Sequence, residues 1–117
     1  MNRPAILVVD EDEAVLALLR VCLGKRYRVT TTSEPHAALD MARREQPNLI
    51  VCDLDMPGFD GGDVSAALFG DDATRDIPVL FLSDLVEGEQ QLGGRPAISK
   101  GAPIDELIAR IESLLRR

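Results

Sequence analysis

Three short runs of consecutive apolar residues lie along the chain, at residues 6–9, 49–52 and 79–82. Unbroken apolar runs of this length are typical of strands covered on both faces, as in a parallel sheet. Two weaker segments, residues 28–32 and 97–99, are polar or short. We therefore predict that these two form the edge strands of the sheet.

Between the strands, apolar residues recur at the spacing of helices. Val15 to Cys22 form one such stripe, which Gly24 is predicted to end. A second helix is predicted from about residue 35 to residue 45, with Ser33 as its N-cap, and a third over residues 104–115. The alternation predicts an α/β fold, a (βα)₅ doubly wound parallel sheet of flavodoxin-like strand order 2-1-3-4-5.

Length and charge narrow the function classes. The 117 residues suit one domain, residues 1–117, and a net charge of −7 argues against direct nucleic-acid binding. No apolar run is long enough for a bilayer, and the start of the chain lacks a signal-peptide pattern, so we expect a cytoplasmic protein with no membrane partner. The last helical pattern reaches the end of the chain, so a longer parent protein is plausible. Cys22 and Cys52 are predicted to be buried apolar residues, and the single histidine, His36, a surface residue.

A polar residue follows each of the three apolar runs and also the weaker segment at residues 97–99. Asp10, Asp53 and Ser83 follow the three apolar runs, and Lys100 follows residues 97–99. The carboxyl ends of parallel strands share one sheet edge, so we expect these four side chains to converge. Glu11 adds another carboxylate, and like charges about 4 Å apart repel by about 4 kcal/mol at an effective dielectric near 20. A cluster of oxygen ligands of this kind suits Mg²⁺ or Mn²⁺.

Four segments carry a resemblance to a known family: residues 6–11, residues 53–61 with the sequence Asp-Leu-Asp-Met-Pro-Gly-Phe-Asp-Gly, residues 78–83, and Lys100. With them the chain resembles a response-regulator receiver domain of bacterial two-component signalling, over nearly its whole length. The resemblance implies that Asp53 accepts a phosphoryl group from a sensor histidine kinase or phosphotransfer protein, and that an output domain or downstream protein reads the result. It implies a signalling module that assists its own phosphorylation and dephosphorylation, rather than an enzyme.

The same resemblance assigns the other site residues. Asp10, Glu11 and Asp53 would bind Mg²⁺ through their side chains, and Asp55 through its backbone carbonyl. Ser83 would be the switch hydroxyl, and Lys100 would pair with the phosphoryl group.

The chain departs from the family pattern at several positions near this site. Asp84 stands where the family has a small residue, and Ala97 replaces the switch aromatic. Gly101 replaces the proline after the lysine, so we expect a trans bond or a rearranged loop there. Residues 85–96 are shorter than usual and rich in glycine, which predicts that the fourth helix is a stub around residues 87–92, or missing.

These departures leave a second function open, that of a degenerate receiver acting as a phosphorylation-independent interaction module. Two enzyme-like or cofactor-binding alternatives are weaker. Asp53-Leu54-Asp55 resembles the motif of haloacid-dehalogenase-type phosphatases, but it follows the third strand and the chain leaves little room for a substrate cap. A flavodoxin is disfavoured because the acidic loop at residues 10–13 would repel a phosphate.

Overall fold

A computed structural model describes residues 3–116 as a six-stranded sheet with helices on both faces. The strand order is β2-β1-β3-β4-β6-β5. All neighbouring strands are parallel except β5, which runs antiparallel to β6. The strands are β1 (Ala5–Val9), β2 (Arg28–Thr32), β3 (Leu49–Asp53), β4 (Val79–Ser83), β5 (Glu89–Leu92) and β6 (Arg95–Ser99).

Four helices divide between the two faces of the sheet. They are α1 (Glu13–Leu23), α2 (Ala38–Glu45), α3 (Gly61–Phe69) and α4 (Ile104–Leu115). Leucines and isoleucines of α1 and α4 pack in one buried cluster with alternate residues of the sheet. Small and apolar residues of α2 and α3 pack in a second cluster on the other face. This arrangement confirms the predicted doubly wound fold, because the inner strands are buried on both sides.

The segment before β6 forms a hairpin strand where a helix stub was predicted as one alternative. That alternative is wrong, and the other, a missing helix, is confirmed. Only Gly93 and Gly94 separate β5 from β6, and both have positive φ values, 56° and 79°. Two consecutive left-handed residues make the two-residue turn that suits the twist of a β-hairpin. The glycines therefore reverse the chain direction, so that residues 89–92 pair with β6 as an added antiparallel strand.

The hairpin also corrects the predicted position of residues 97–99. They lie in β6, between β4 and β5, and not at the sheet edge. Ala97 and Ile98 are consequently buried. The polar segment β2, by contrast, does form the opposite edge, as predicted.

The start of the second helical segment differs in detail from the prediction. A 3₁₀ turn over Pro35–Ala37 precedes α2, and Ser33 does not cap either element. Pro35 occupies the first turn, where its missing N–H is tolerated, and Thr32 Oγ1 accepts the backbone N–H of Glu34 instead. Gly24 ends α1 as predicted.

The remaining sequence predictions concern single residues and the chain ends. His36 is exposed, Cys52 is buried and Cys22 is partly buried. The signal-peptide and terminus interpretations involve Met1, Asn2 and Arg117, which lie outside the described residues. Among the helices of residues 3–116, none combines the length and the apolar character needed to cross a bilayer.

Candidate functional site

The centre of the site is the ammonium group of Lys100, which lies between two buried carboxylates. Lys100 Nζ is 3.1 Å from Asp10 Oδ2 and 3.1 Å from Asp53 Oδ2. Asp10 follows β1, Asp53 ends β3 and Lys100 follows β6, so the parallel strand order brings all three to one edge of the sheet. The side chain of Lys100 therefore reaches both carboxylates, although Gly101 replaces the family's proline after it.

Asp10 is fixed at this edge by hydrogen bonds on both its backbone and its side chain. Its backbone N–H donates to Thr32 O at 3.2 Å, and its Oδ1 accepts the N–H of Asp12 at 2.8 Å. Burial to 1% exposure raises the pKa of Asp10, although the Asp12 amide and Lys100 oppose the rise. Asp10 Oδ2 lies within ion-pair distance of Lys100 but accepts no well-directed hydrogen bond, so it retains the capacity to bind a cation.

Lys100 is held in place by the strand ends around it. Its backbone N–H donates to Ser83 O at 3.0 Å, which continues the ladder between β4 and β6. Burial alone would lower the pKa of Lys100, but the hydrogen bonds and charges of Asp10 and Asp53 outweigh it and raise the pKa. The amine is therefore charged across the physiological pH range. The peptide bonds of residues 3–116 include no cis bond, so Lys100 precedes Gly101 through the expected trans linkage.

Asp53 lies at the carboxyl edge of the sheet, and its two carboxylate oxygens contact two different donors. Its Oδ2 faces Lys100, and its Oδ1 accepts the backbone N–H of Asp55 at 3.0 Å. The start of α3 packs tightly behind it: a Cβ built on Gly61 would lie 2.6 Å from Asp53 O. Only glycine fits at this position, because such a contact is far below van der Waals distance.

Ser83 is fully buried, and its hydroxyl is hydrogen-bonded to the carboxylate of Asp55. Ser83 Oγ donates to Asp55 Oδ2 at 2.8 Å and accepts the N–H of Leu85 at 3.0 Å. The same Asp55 oxygen accepts the N–H of Asp84 at 3.0 Å. The family resemblance implies only a backbone role for Asp55, and the side-chain contact was not predicted because it depends on how two loops meet.

The other predicted site residues lie near the cluster without joining it. Glu11 and Asp84 are exposed. Within residues 3–116, no three His, Cys, Asp or Glu side chains are grouped closely enough to enclose a metal ion by themselves. Asp10 and Asp53 are the two buried carboxylates at this edge of the sheet, so their oxygens are the ones available to a cation.

Comparison with known proteins identifies the family. The profile of the response regulator receiver domain matches residues 6–112. The chain belongs to the response regulator receiver domain family. Its relatives include the response regulator PleD of Caulobacter vibrioides, 39% identical over 120 residues that cover 95% of this chain and 26% of PleD. The transcriptional regulatory protein PrrA of Mycobacterium tuberculosis is 37% identical over 123 residues, covering 100% of this chain and 52% of PrrA.

Solved receiver domains share the fold as well. The Francisella response regulator 1452 receiver domain has a TM-score of 0.84 and 26% identity, with 98% of each chain covered. The receiver domain of the sensor histidine kinase PA1611 from Pseudomonas aeruginosa, solved with a magnesium ion in its active-site cleft, has a TM-score of 0.85 and 19% identity and covers 98% of this chain and 99% of its own. The present receiver domain spans about a quarter of PleD and half of PrrA. Membership of this family leaves the phosphatase and flavodoxin interpretations without support.

Proposed function

We propose that this receiver domain is a phospho-acceptor of a two-component phosphorelay and that Asp53 takes the phosphoryl group. The observation that carries the proposal is the placement of Asp53, a carboxylate 5% exposed at the sheet edge, with Lys100 Nζ 3.1 Å away. A nucleophilic carboxylate beside a fixed cation is what phosphoryl transfer requires, since negative charge on the phosphoryl oxygens must be stabilised.

In the proposed step, an oxygen of Asp53 attacks the phosphorus of a phosphohistidine on the partner. The O–P bond forms as the N–P bond breaks, and the electron pair of the N–P bond stays on the imidazole, which takes a proton from solvent. The ammonium group of Lys100 can leave the carboxylate of Asp53 and pair with a phosphoryl oxygen, and the hydroxyl of Ser83 can donate to another. The domain thus assists its own modification and later hydrolysis, but acts as a signalling module rather than an enzyme.

A divalent cation fits the residues that surround the acceptor. Asp10 and Asp53 supply buried oxygen ligands, and Asp10 Oδ2 has no well-directed hydrogen bond. We propose that Glu11 and the backbone carbonyl of Asp55 complete the protein ligands. An all-oxygen set favours Mg²⁺ or Mn²⁺ over softer metals. When bound, the ion supplies positive charge that offsets the charge of the phosphoryl group.

The proposed partner is a sensor histidine kinase or a phosphotransfer protein that docks beside the acceptor. Leu18 and Val21 on α1 are 61% and 66% exposed, unusual for large apolar side chains on one helix. A groove of about 570 Å³ runs between α1, α4 and the loop of Lys100, so this apolar surface adjoins the site. An output domain or a downstream protein would read the modified state. The net charge of −7 argues against direct contact with nucleic acid. We also propose that the domain acts in the cytoplasm.

The proposal is tested by incubating the protein with acetyl phosphate and Mg²⁺ and recording its intact mass. One added phosphoryl group is expected, which disappears in Asp53→Asn and remains in the matched control Asp72→Asn. Asp72 is a suitable control because its side chain is 94% exposed and lies outside the site. An adduct that persists in Asp53→Asn would refute the assignment.

A second candidate is the phosphorylation-independent interaction module. The observation that favours it is the β5–β6 hairpin, which takes the place of the family's helix and contains the buried Ala97. This change alters the surface next to Lys100 while leaving the acceptor in place. The module would be favoured if the chain stays unmodified with acetyl phosphate and if the wild type and Asp53→Asn bind the partner with equal affinity.

A further inference from the structure

The carboxylate of Asp55 makes contacts that a backbone role in metal binding does not explain. Its Oδ2 accepts Ser83 Oγ–H at 2.8 Å and the N–H of Asp84 at 3.0 Å. Ser83 Oγ also accepts the N–H of Leu85 at 3.0 Å. These three hydrogen bonds, here named the Asp55 latch, join the loop after β3 to the first residues after β4.

The latch uses the only proton that Ser83 can donate. A hydroxyl has a single O–H donor, and an ionised carboxylate can only accept. The 2.8 Å contact therefore directs the Ser83 proton at Asp55. In the proposed function, a phosphoryl oxygen on Asp53 accepts a hydrogen bond from the same hydroxyl. Ser83 cannot satisfy both acceptors with one strong hydrogen bond, so the two states exclude one another.

We propose that Asp55 is a positioning residue that holds the hydroxyl of Ser83 in its unphosphorylated arrangement and thereby opposes the switch. The inference rests on the proposed function and adds a regulatory element to the same site. Both ends of the latch adjoin the acceptor group. The N–H of Asp55 donates to Asp53 Oδ1 at 3.0 Å, and Ser83 O accepts the N–H of Lys100 at 3.0 Å. A change at Asp53 therefore reaches Asp55 through one direct contact, and it reaches Ser83 through Lys100, which pairs with Asp53.

A simpler effect of Asp55 has to be separated from the latch. Its carboxylate is negatively charged and would repel a phosphoryl group whether or not Ser83 is bound to it. Repulsion acts through charge alone, so it persists when the hydroxyl of Ser83 is removed. The latch acts through the hydroxyl, so it vanishes with it. A double-mutant cycle between Asp55 and Ser83 distinguishes the two effects.

The experiment measures the affinity of beryllofluoride, a phosphoryl mimic, by NMR titration in Mg²⁺ for the wild type, Asp55→Ala, Ser83→Ala and the double variant. Releasing a hydrogen bond of ordinary net strength should raise the affinity about fivefold in Asp55→Ala relative to the wild type. In the Ser83→Ala background the same substitution should change the affinity by less than about twofold. Asp55→Asn, which keeps an acceptor oxygen but loses the charge, should show less gain than Asp55→Ala.

The unmodified protein provides an independent readout of the latch. In Asp55→Ala the amide of Asp84 loses its acceptor, so its hydrogen exchange should accelerate about tenfold, while amides in β1 and β3 stay protected. An equal gain in affinity in both backgrounds would show that Asp55 acts by charge and would overturn the latch. A wild type that binds the mimic as tightly as Asp55→Ala would also overturn it. Absence of binding by all four proteins would overturn the proposed function instead.

Discussion

Removing the amine of Lys100 should destabilise the protein more than removing any exposed charge. Asp10 and Asp53 both place an oxygen 3.1 Å from Lys100 Nζ, and the lysine side chain is only 17% exposed. In Lys100→Met the chain keeps a side chain of similar length, but the two carboxylates lose their shared cation. Their mutual repulsion is then uncompensated at neutral pH, because both remain buried.

The expected magnitude follows from the distances and the burial. Unit charges 3.1 Å apart attract by about 5 kcal/mol at an effective dielectric near 20. Desolvation of the groups offsets part of this attraction, and removing one partner of a buried pair costs about 3–5 kcal/mol. We expect a loss near 3 kcal/mol at pH 7, the lower end of that range, because Lys100 keeps some contact with solvent. The loss should shrink at lower pH, since burial already raises the pKa of Asp10 and protonation removes its charge.

Urea unfolding of Lys100→Met at pH 7 and at pH 5 measures both effects. Lys25→Met is the matched control, because Lys25 is the one other lysine of the chain and is exposed. Adding Asp53→Asn to Lys100→Met should recover about half of the lost stability, as it removes one of the two unpaired charges. A loss below about 1 kcal/mol at pH 7, or a double variant no more stable than Lys100→Met, would refute the electrostatic reasoning.

Three further outcomes are expected. Replacing NaCl by millimolar Mg²⁺ at equal ionic strength should raise the melting temperature of the wild type but not that of Asp10→Asn. An equal rise in both melting temperatures would exclude binding at this site. Gly61→Ala should lower the free energy of unfolding by about 2 kcal/mol, because the new Cβ would lie 2.6 Å from Asp53 O. The control Gly62→Ala should change the free energy of unfolding by less than about 1 kcal/mol. Equal effects of the two substitutions in urea unfolding would contradict this. Burial and the carboxylate of Glu112 raise the pKa of Tyr27, so stability should fall as the pH rises above the ordinary tyrosine value. Unfolding measured across alkaline pH should show a smaller fall in Tyr27→Phe, which keeps the contribution of Lys100 but loses that of the tyrosine. A Tyr27→Phe profile that matches the wild type would contradict the assignment.

The convergence of the site could be predicted from the sequence because it depends on backbone topology alone. The carboxyl ends of parallel strands lie along one edge of the sheet, so the residues at those ends are brought close together by the backbone. Asp10, Asp53 and Lys100 come together for this reason. The side-chain contact of Asp55 has no such origin. It requires the loop after β3 and the residues after β4 to approach within hydrogen-bond distance, and no periodic pattern encodes that distance.

The β5–β6 hairpin could be predicted only in part. Its turn could have been recognised in the sequence, since Gly93-Gly94 between short extended segments is a signal for a two-residue hairpin. The family pattern has a helix in this part of the chain, and the short segment therefore predicted a stub or a missing helix instead of a strand. The local signal and the family expectation conflicted, and the backbone freedom of the two glycines determined the outcome.

The hairpin also relates two departures that looked independent in the sequence. Ala97 stands where the family has an aromatic residue, and it pairs with Phe81 on one side and with Gln90 of β5 on the other. Leu92 of β5 packs against the cluster that contains Ala97 and Phe81. A strand laid along β6 therefore contributes apolar contacts at a position where Ala97 has only a methyl group. The short segment and the small residue are consistent with one structural change, and restoring an aromatic residue at position 97 without removing the hairpin would overpack this cluster.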